Sequence, residues 1–156
     1  MPEFDRLFSE IKEQTVLYND EVLMRIDKIP VPKKFKLSVI LISTNSEWQQ
    51  AIKIKTKGKI VSQGSNIISD YFILWEKYLR EEAKFDYDCL SKNNELIVWN
   101  AWDHGDGVVQ AWLRGAAMKK EIIAPNHFRY YCNDGHPDED FDDIIFDIII
   151  NPNQDS

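Results

Sequence analysis

The clearest pattern along the chain is an alternation of apolar and charged residues over positions 51–60. Isoleucines at 52, 54 and 60 alternate with lysines at 53, 55, 57 and 59. A period of two places the four lysines on one face of a strand and the isoleucines on the other. Such a row of lysines is typical of a solvated sheet face or of an edge strand protected against aggregation, and less often of a functional basic groove.

Several other segments have the composition of strands. Residues 35–43, 95–102, 128–132 and 144–150 are rich in β-branched and aromatic residues. Residues 22–29 alternate partly and end before Pro30 and Pro32, which cannot donate to a ladder. The His-Gly and Asp-Gly pairs within residues 103–107 predict a hairpin turn that leads into residues 108–118. The residues at 116–119 favour a helix, so a helix over 110–121 is the alternative.

Two segments show helical spacing. Residues 3–18 carry Phe4, Leu7, Phe8 and Ile11 at intervals of three and four. A second helix is predicted from a cap at Ser65 or Asn66 to about residue 83, with a stripe of Ile68, Tyr71, Phe72, Trp75, Tyr78 and Leu79. We therefore predict a single α+β domain over residues 1–150, with two or more helices on a mostly antiparallel sheet of five or six strands. Residues 151–156 are predicted to be a frayed tail.

The composition narrows the class of protein. An apolar fraction of 44% excludes a wholly disordered chain, and no apolar run approaches the ~18 residues of a membrane helix. The acidic N-terminal residues do not resemble a secretory signal. Cys89 and Cys132 give no disulfide framework, so we expect a reduced, cytoplasmic setting and no membrane partner.

Charge is divided unevenly along the 156 residues. Residues 1–80 hold 13 Lys/Arg and 10 Asp/Glu, whereas residues 81–156 hold 6 and 16, and the formal net charge is −7. Seven acids fall within fourteen positions: Asp134, Asp138, Glu139, Asp140, Asp142, Asp143 and Asp147. This density is compatible with a solvated loop or with a docking surface for a basic partner. The net charge argues against nucleic-acid binding.

The two Asp-Gly turns also contain potential metal ligands or general bases. Asp103, His104 and Asp106 lie in the first turn, and Asp134 and His136 lie in the second. Neither turn has the spacing of a zinc or calcium site, and Asp and Gly are the residues that tight turns select. There is no nucleophile motif and no phosphate-binding loop, so the sequence predicts neither an enzyme nor a cofactor.

Aromatic residues flank both acidic turns, and interfaces derive much of their energy from a few aromatic anchors. We expect Trp99 and Phe128 to be core residues of their strands. Trp102, Tyr130 and Tyr131, which lie beside the turns, are predicted to be exposed anchors.

The segments WNAWDHGDG (99–107) and CNDGHPDEDFDDIIFDI (132–148) give the chain a resemblance to the immunity proteins of bacterial toxin–immunity systems, including the contact-dependent inhibition type. The resemblance implies an inhibitor that occludes a cognate toxin domain, often a basic nuclease. The residues expected to contact the toxin are Asp103, Asp106, Asp134, Asp138, Glu139, Asp140, Asp142, Asp143, Trp102, Tyr130 and Tyr131. The alternatives are a metal-dependent hydrolase using Asp103, His104, Asp106 and His136, and a scaffold or regulatory subunit.

Overall fold

The computed structural model describes residues 15–18, 21–45, 49–63, 67–81, 84–103, 117–133, 141 and 143–152. These residues form ten strands and one short helix. The elements in chain order are β1 Thr15–Tyr18, β2 Glu21–Met24, β3 Asp27–Pro30, β4 Lys34–Thr44, β5 Gln49–Ser62, β6 Ile68–Trp75, α1 Glu76–Glu81, β7 Lys84–Asp103, β8 Ala117–Ala124, β9 His127–Asn133 and β10 Ile144–Pro152.

All ten strands belong to one antiparallel sheet. Nine follow the order β1-β2-β8-β9-β10-β4-β7-β5-β6, and β3 pairs with β7 beside that path. The 20-residue β7 is the longest strand. It pairs with β5 along one edge and with β4 and then β3 along the other. β2 pairs with β8, which is far from β7 in the strand order, but β3 follows β2 closely in the chain and pairs with β7. The sheet must therefore curl so that β2 comes near β7.

The predicted α+β class, with two or more helices and five or six strands, is wrong. The described residues contain one helix of six residues, and the sheet has ten strands. The segment predicted as a helix from about residue 66 to 83 is mostly β6, whose residues pair with β5 from Ala51↔Trp75 to Val61↔Ile68. Residues 71–75 (YFILW) are all apolar or aromatic, so the helical stripe is equally compatible with a strand. Pairing with β5 satisfies its backbone as a strand.

Three other boundaries also differ from expectation. Thr15–Tyr18 is a strand paired with β2 rather than the end of a helix, and residues 3–14 of that prediction lie outside the described residues. A helix over 110–121 is excluded from Ala117 onward, because Ala117–Ala124 is a strand. The last strand continues to Pro152, which pairs with Phe35, so two residues of the predicted tail belong to the sheet.

The predicted strands over 35–43, 51–60, 95–102, 128–132 and 144–150 are confirmed. Ile52, Ile54 and Ile60 are fully buried, while the lysines at 55, 57 and 59 are exposed and Lys53 is half-buried. Since β5 lies between β6 and β7, its lysines do not protect an edge. They occupy a solvated face of the sheet.

The core lies on the concave side and is formed by alternate residues of the central strands. In β10 these are Ile144, Phe146, Ile148 and Ile150, each 2% exposed or less. Trp99 and Phe128 pack in or against this core, as predicted. No helix in the described part of the chain is long and apolar enough to cross a membrane.

A local irregularity allows β7 to change partners from β4 to β3. Val31 N donates to Asn94 O (3.0 Å), and Asn94 Nδ2 donates to Val31 O (3.1 Å). Asn94 has a φ of 57°, which asparagine tolerates better than most residues. On the opposite edge Gly58 has a φ of 150° and approaches the backbone of Leu90 closely. The bulge requires glycine at this position because a Cβ would overlap with the Leu90 carbonyl oxygen.

Candidate functional site

The strand ends from which the two acid-bearing segments of the sequence start lie at one end of the sheet. Asn100 Nδ2 donates to Asn133 O at 2.9 Å, and the bond is buried. Asn133 ends β9 and pairs with Ala117, the first residue of β8. Residues 104–116 join β7 to β8, and residues 134–140 follow β9. Both segments therefore begin at the same end of the molecule.

The residues that follow the second segment are also hydrogen-bonded to the sheet. Phe141 N donates to Asn133 Oδ1 at 2.6 Å, and Asp143 N donates to Cys132 O at 3.0 Å. Asn45 N donates to Asp143 O at 3.1 Å, which ties the segment to the end of β4 as well. Phe141 is 5% exposed. The two ends of the stretch 134–140 are thus fixed to the sheet.

The acidic residues that were predicted to contact a toxin divide into three groups. Asp106, Asp134, Asp138, Glu139, Asp140 and Asp142 lie outside the described residues. Asp103 is half-buried at the end of β7, where it pairs with Gln49. Asp143 is only 2% exposed, so the prediction that it belongs to an exposed acidic surface is wrong. Its backbone bonds to two strands draw it into the end of the core.

Trp102 and Tyr130 were predicted to be exposed anchors, and this is wrong. They are 1% and 0% exposed. Strand alternation is the reason: Trp102 follows the buried Asn100 by two residues, and Tyr130 lies between the core-facing Phe128 and Cys132. Position next to a turn does not decide exposure, whereas the face of the strand does.

Tyr130 instead ties two distant strands together inside the curled sheet. Its ring stacks on Phe146 with centroids 5.2 Å apart, and its hydroxyl donates to Asp27 Oδ2 at 2.5 Å. Lys120 Nζ lies 2.8 Å from the same carboxylate oxygen. Burial, together with the nearby Asp27 carboxylate, raises the pKa of Tyr130 far above its ordinary value. The hydroxyl therefore stays protonated and donates its hydrogen to Asp27.

The opposite face of β9 carries polar residues. Tyr131, predicted to be an exposed anchor, is half-buried there, and its hydroxyl donates to Glu121 Oε1 at 2.7 Å. Arg129 donates through Nε and Nη2 to the two oxygens of Asp147, at 2.7 and 3.0 Å. His127 Nε2 lies 2.8 Å from Asp147 Oδ2.

This Arg129–Asp147–His127 cluster was not predicted from the sequence. Burial alone would raise the pKa of Asp147, but the hydrogen bonds from Arg129 and His127 outweigh it and lower the pKa below its ordinary value. Asp147 is thus neutralised within the protein and does not contribute a free charge to the acidic segment. The alternation of His127, Arg129 and Tyr131 opposite Asp147 was the available signal, but it requires the register of β9 with β10.

The residues of the metal hypothesis are mostly outside the described part of the chain. Only Asp103 of the set Asp103, His104, Asp106 and His136 is described. Within the described residues, no three His, Cys, Asp or Glu side chains lie close enough to hold a metal ion.

Both cysteines are free and buried. Burial raises the pKa of Cys89 to about 12, with a further contribution from Asp88, and burial also raises the pKa of Cys132. Raised pKa values of this kind are those of buried structural thiols rather than of activated thiolates.

Comparison of the chain with models of protein families, with curated proteins and with solved structures finds no match. The function is therefore inferred from the residues and their arrangement.

Proposed function

We propose that this protein is an immunity-type inhibitor that binds a cognate basic toxin domain, such as a nuclease, through the end of the sheet where β7, β8, β9 and β10 meet. The Asn100–Asn133 hydrogen bond is the observation on which the proposal depends. It links the start of the segment carrying Asp106 to the start of the segment carrying the acids of 134–142.

The acids attached to this end are numerous and have few compensating bases. Residues 134–143 contain six acids and no lysine or arginine, and residues 103–116 add Asp103 and Asp106 against one arginine. Concentrated charge of one sign raises the rate at which an oppositely charged protein is captured, towards ~10⁸ M⁻¹s⁻¹ at low ionic strength. Rapid capture suits an inhibitor that must act before its toxin causes damage.

The anchoring of the segment supports a binding role. Phe141 and Asn133 fix the two ends of residues 134–140 against a rigid sheet. Ordering a binding segment costs conformational entropy, and fixed ends reduce that cost. The surface proposed for the toxin comprises Asp134, Asp138, Glu139, Asp140 and Asp142 together with Asp103, Asp106 and Tyr131. The setting proposed is the cytoplasm, where a toxin that enters the cell must be neutralised.

The test is a pair of matched charge variants measured against the toxin encoded by the neighbouring gene. Asp138→Asn/Asp140→Asn removes two charges from the proposed surface. Asp70→Asn/Asp88→Asn removes two charges from exposed positions elsewhere on the sheet. Association is measured by stopped-flow fluorescence over a range of ionic strength.

We expect the first variant to associate about tenfold more slowly at low salt and with a weaker salt dependence, because charge steers the encounter. The second variant should behave like the unmodified protein. Equal rates and equal salt dependence for all three proteins would remove the acidic segment from the mechanism. Complete absence of toxin binding by the unmodified protein would reject the immunity function itself.

A further inference from the structure

A second charged surface lies on the outer face around β5, and it is basic. It comprises Lys28 of β3, Lys34 of β4 and the four lysines of β5, and we call these six residues the lysine face. All are exposed except the half-buried Lys53. Within the described part of the chain none of them forms an ion pair with a carboxylate. The same face also carries Lys36, which pairs with Asp88, and the acids Asp86 and Glu95 of β7, so the surface is basic on balance.

The register of the strands arranges these lysines on both sides of β7. Lys28 and Lys55 both pair with Ile97, and Lys34 and Lys59 both pair with Leu90. Paired residues of neighbouring strands lie on the same face of a sheet. Ile97 and Leu90 are half-buried. The lysine face is thus two files of positive charge on either side of β7, which contributes the half-buried Ile97 and Leu90 and, between them, the polar residues Lys92, Asn93, Asn94 and Glu95.

Aromatic rings lie beside Ile97 at one end of the lysine face. Tyr71 of β6 pairs with Lys55 and is half-buried. Lys53 Nζ lies 5.5 Å from the centre of the Tyr71 ring and 5.6 Å from that of Trp99. Tyr71 and Trp99 are themselves in contact, with ring centres 5.9 Å apart. Positive charge and aromatic surface are therefore adjacent.

We propose that the lysine face binds single-stranded nucleic acid without sequence preference. Lysines at every second residue of a strand repeat at about 6.6–6.8 Å and present a linear row of charges to a linear chain of phosphates. Proteins that bind single strands combine such a basic track with aromatic surfaces on which bases stack. An acidic polypeptide would satisfy the lysines but would leave Tyr71, Ile97 and Leu90 without a planar apolar partner.

The net charge of −7 does not oppose this binding locally. The lysines of β5 lie four (Lys53) to ten (Lys59) strand positions from Gln49, which pairs with Asp103 at the acidic end. Four to ten residues of extended strand span about 13–33 Å. The Debye length is about 8 Å at physiological ionic strength, so the charges of the acidic end are screened at these distances. The two surfaces act independently, and this inference does not rest on the toxin-binding proposal.

The test uses the full chain and fluorescently labelled oligo(dT) and oligo(U) of about 20 nucleotides, longer than the site of a single binding domain. Affinity is measured by fluorescence anisotropy at several salt concentrations. Lys55→Gln/Lys57→Gln removes two charges from the lysine face, and Lys77→Gln/Lys84→Gln removes two charges from α1 and the start of β7. Circular dichroism establishes that both variants are folded.

We expect the unmodified protein to bind both oligonucleotides and to lose affinity as salt rises. Lys55→Gln/Lys57→Gln should weaken binding by about tenfold at 0.1 M salt and reduce the salt slope by about 1.4, whereas the control variant should leave both within twofold. Tyr71→Leu should weaken binding without changing the salt slope, because it removes a stacking surface and no charge.

Three outcomes would overturn the proposal. The first is no binding of either oligonucleotide at about 50 mM salt, where phosphate contacts are strong. The second is an equal loss in the two lysine variants, which would show that only overall charge matters. The third is displacement of the oligonucleotide by polyglutamate of equal charge at the same concentration as unlabelled oligo(dT), which would assign the surface to an acidic polypeptide.

Discussion

Asn100 and Asn133 are joined by a 2.9 Å hydrogen bond although β10 and β4 separate their strands in the order of the sheet. The bond shows that β7 and β9 face each other at this end because the sheet curls. Asp27 and Tyr130 provide a second tie across the curled sheet. Both contacts thus join strands that are not neighbours in the sheet, and the first lies where the acidic segments begin.

The Asn100–Asn133 bond is expected to stabilise the fold. Asn100→Leu keeps the volume of the side chain but leaves the buried carbonyl of Asn133 without this donor. Such a loss costs about 1–3 kcal/mol. The free energy of unfolding, measured by urea denaturation, should fall by that amount. Asn151→Leu, at an exposed position, should change it by less than about 0.5 kcal/mol. Equal effects of the two substitutions would show that the bond contributes nothing specific.

The tie between Tyr130 and Asp27 predicts a loss of stability in alkali. The pKa of Tyr130 is raised in the folded state, so its contribution is fully present below the unfolded value of about 10 and is lost as the pH rises beyond that value. Tyr130→Phe removes the hydroxyl and should lower the free energy of unfolding by about 1 kcal/mol at neutral pH. Urea denaturation from neutral pH to about pH 11 should show this difference shrinking above pH 10. A difference that stays constant would mean that the hydroxyl ionises as readily in the folded protein as in the unfolded chain.

The confirmed and the wrong expectations have a common physical basis. The lysine–isoleucine alternation of β5 and the β-branched run of β10 specify strands locally, because period and side-chain type agree. The segment around Tyr71 and Phe72 carries apolar residues at almost every position, so its local pattern is compatible with both helix and strand. Only pairing with β5 decides between them.

The candidate site likewise combines features that the local sequence specifies with features that depend on distant contacts. The position of the acids can be read from the sequence, but the burial of Trp102 and Tyr130 depends on which strand face turns inward when the sheet curls. The start of the two acid-bearing segments at the same end of the sheet depends on a contact between residues 33 positions apart. Neither relationship leaves a local signal in the sequence.

The Arg129–Asp147–His127 cluster leads us to expect that the protein loses stability at low pH. The pKa of Asp147 is lowered in the folded state, so its contribution is present above the unfolded value of about 3.9 and is lost as the pH falls through the lower, folded value. Asp147→Asn should lower the free energy of unfolding by about 2 kcal/mol at neutral pH, since it weakens hydrogen bonds to a charged group. Thermal denaturation from pH 7 downwards should show that the two proteins converge below about pH 4. If they remain equally far apart, the ionised carboxylate is not the source of the stabilisation.

We expect the addition of a methyl group at Gly58 to lower the stability of the protein more than the other substitutions do. Its φ of 150° lies in a region that residues with a Cβ rarely adopt, and a Cβ there would overlap with the carbonyl oxygen of Leu90. The overlap is with backbone, so no side chain can move aside. Gly58→Ala should therefore force β5 away from β7 and cost at least about 3 kcal/mol, from strain and lost ladder bonds together. Lys57→Ala, one residue earlier and exposed, should cost less than about 0.5 kcal/mol. Urea denaturation distinguishes the two. Equal stabilities would mean that the bulge between β5 and β7 tolerates a side chain and does not require glycine.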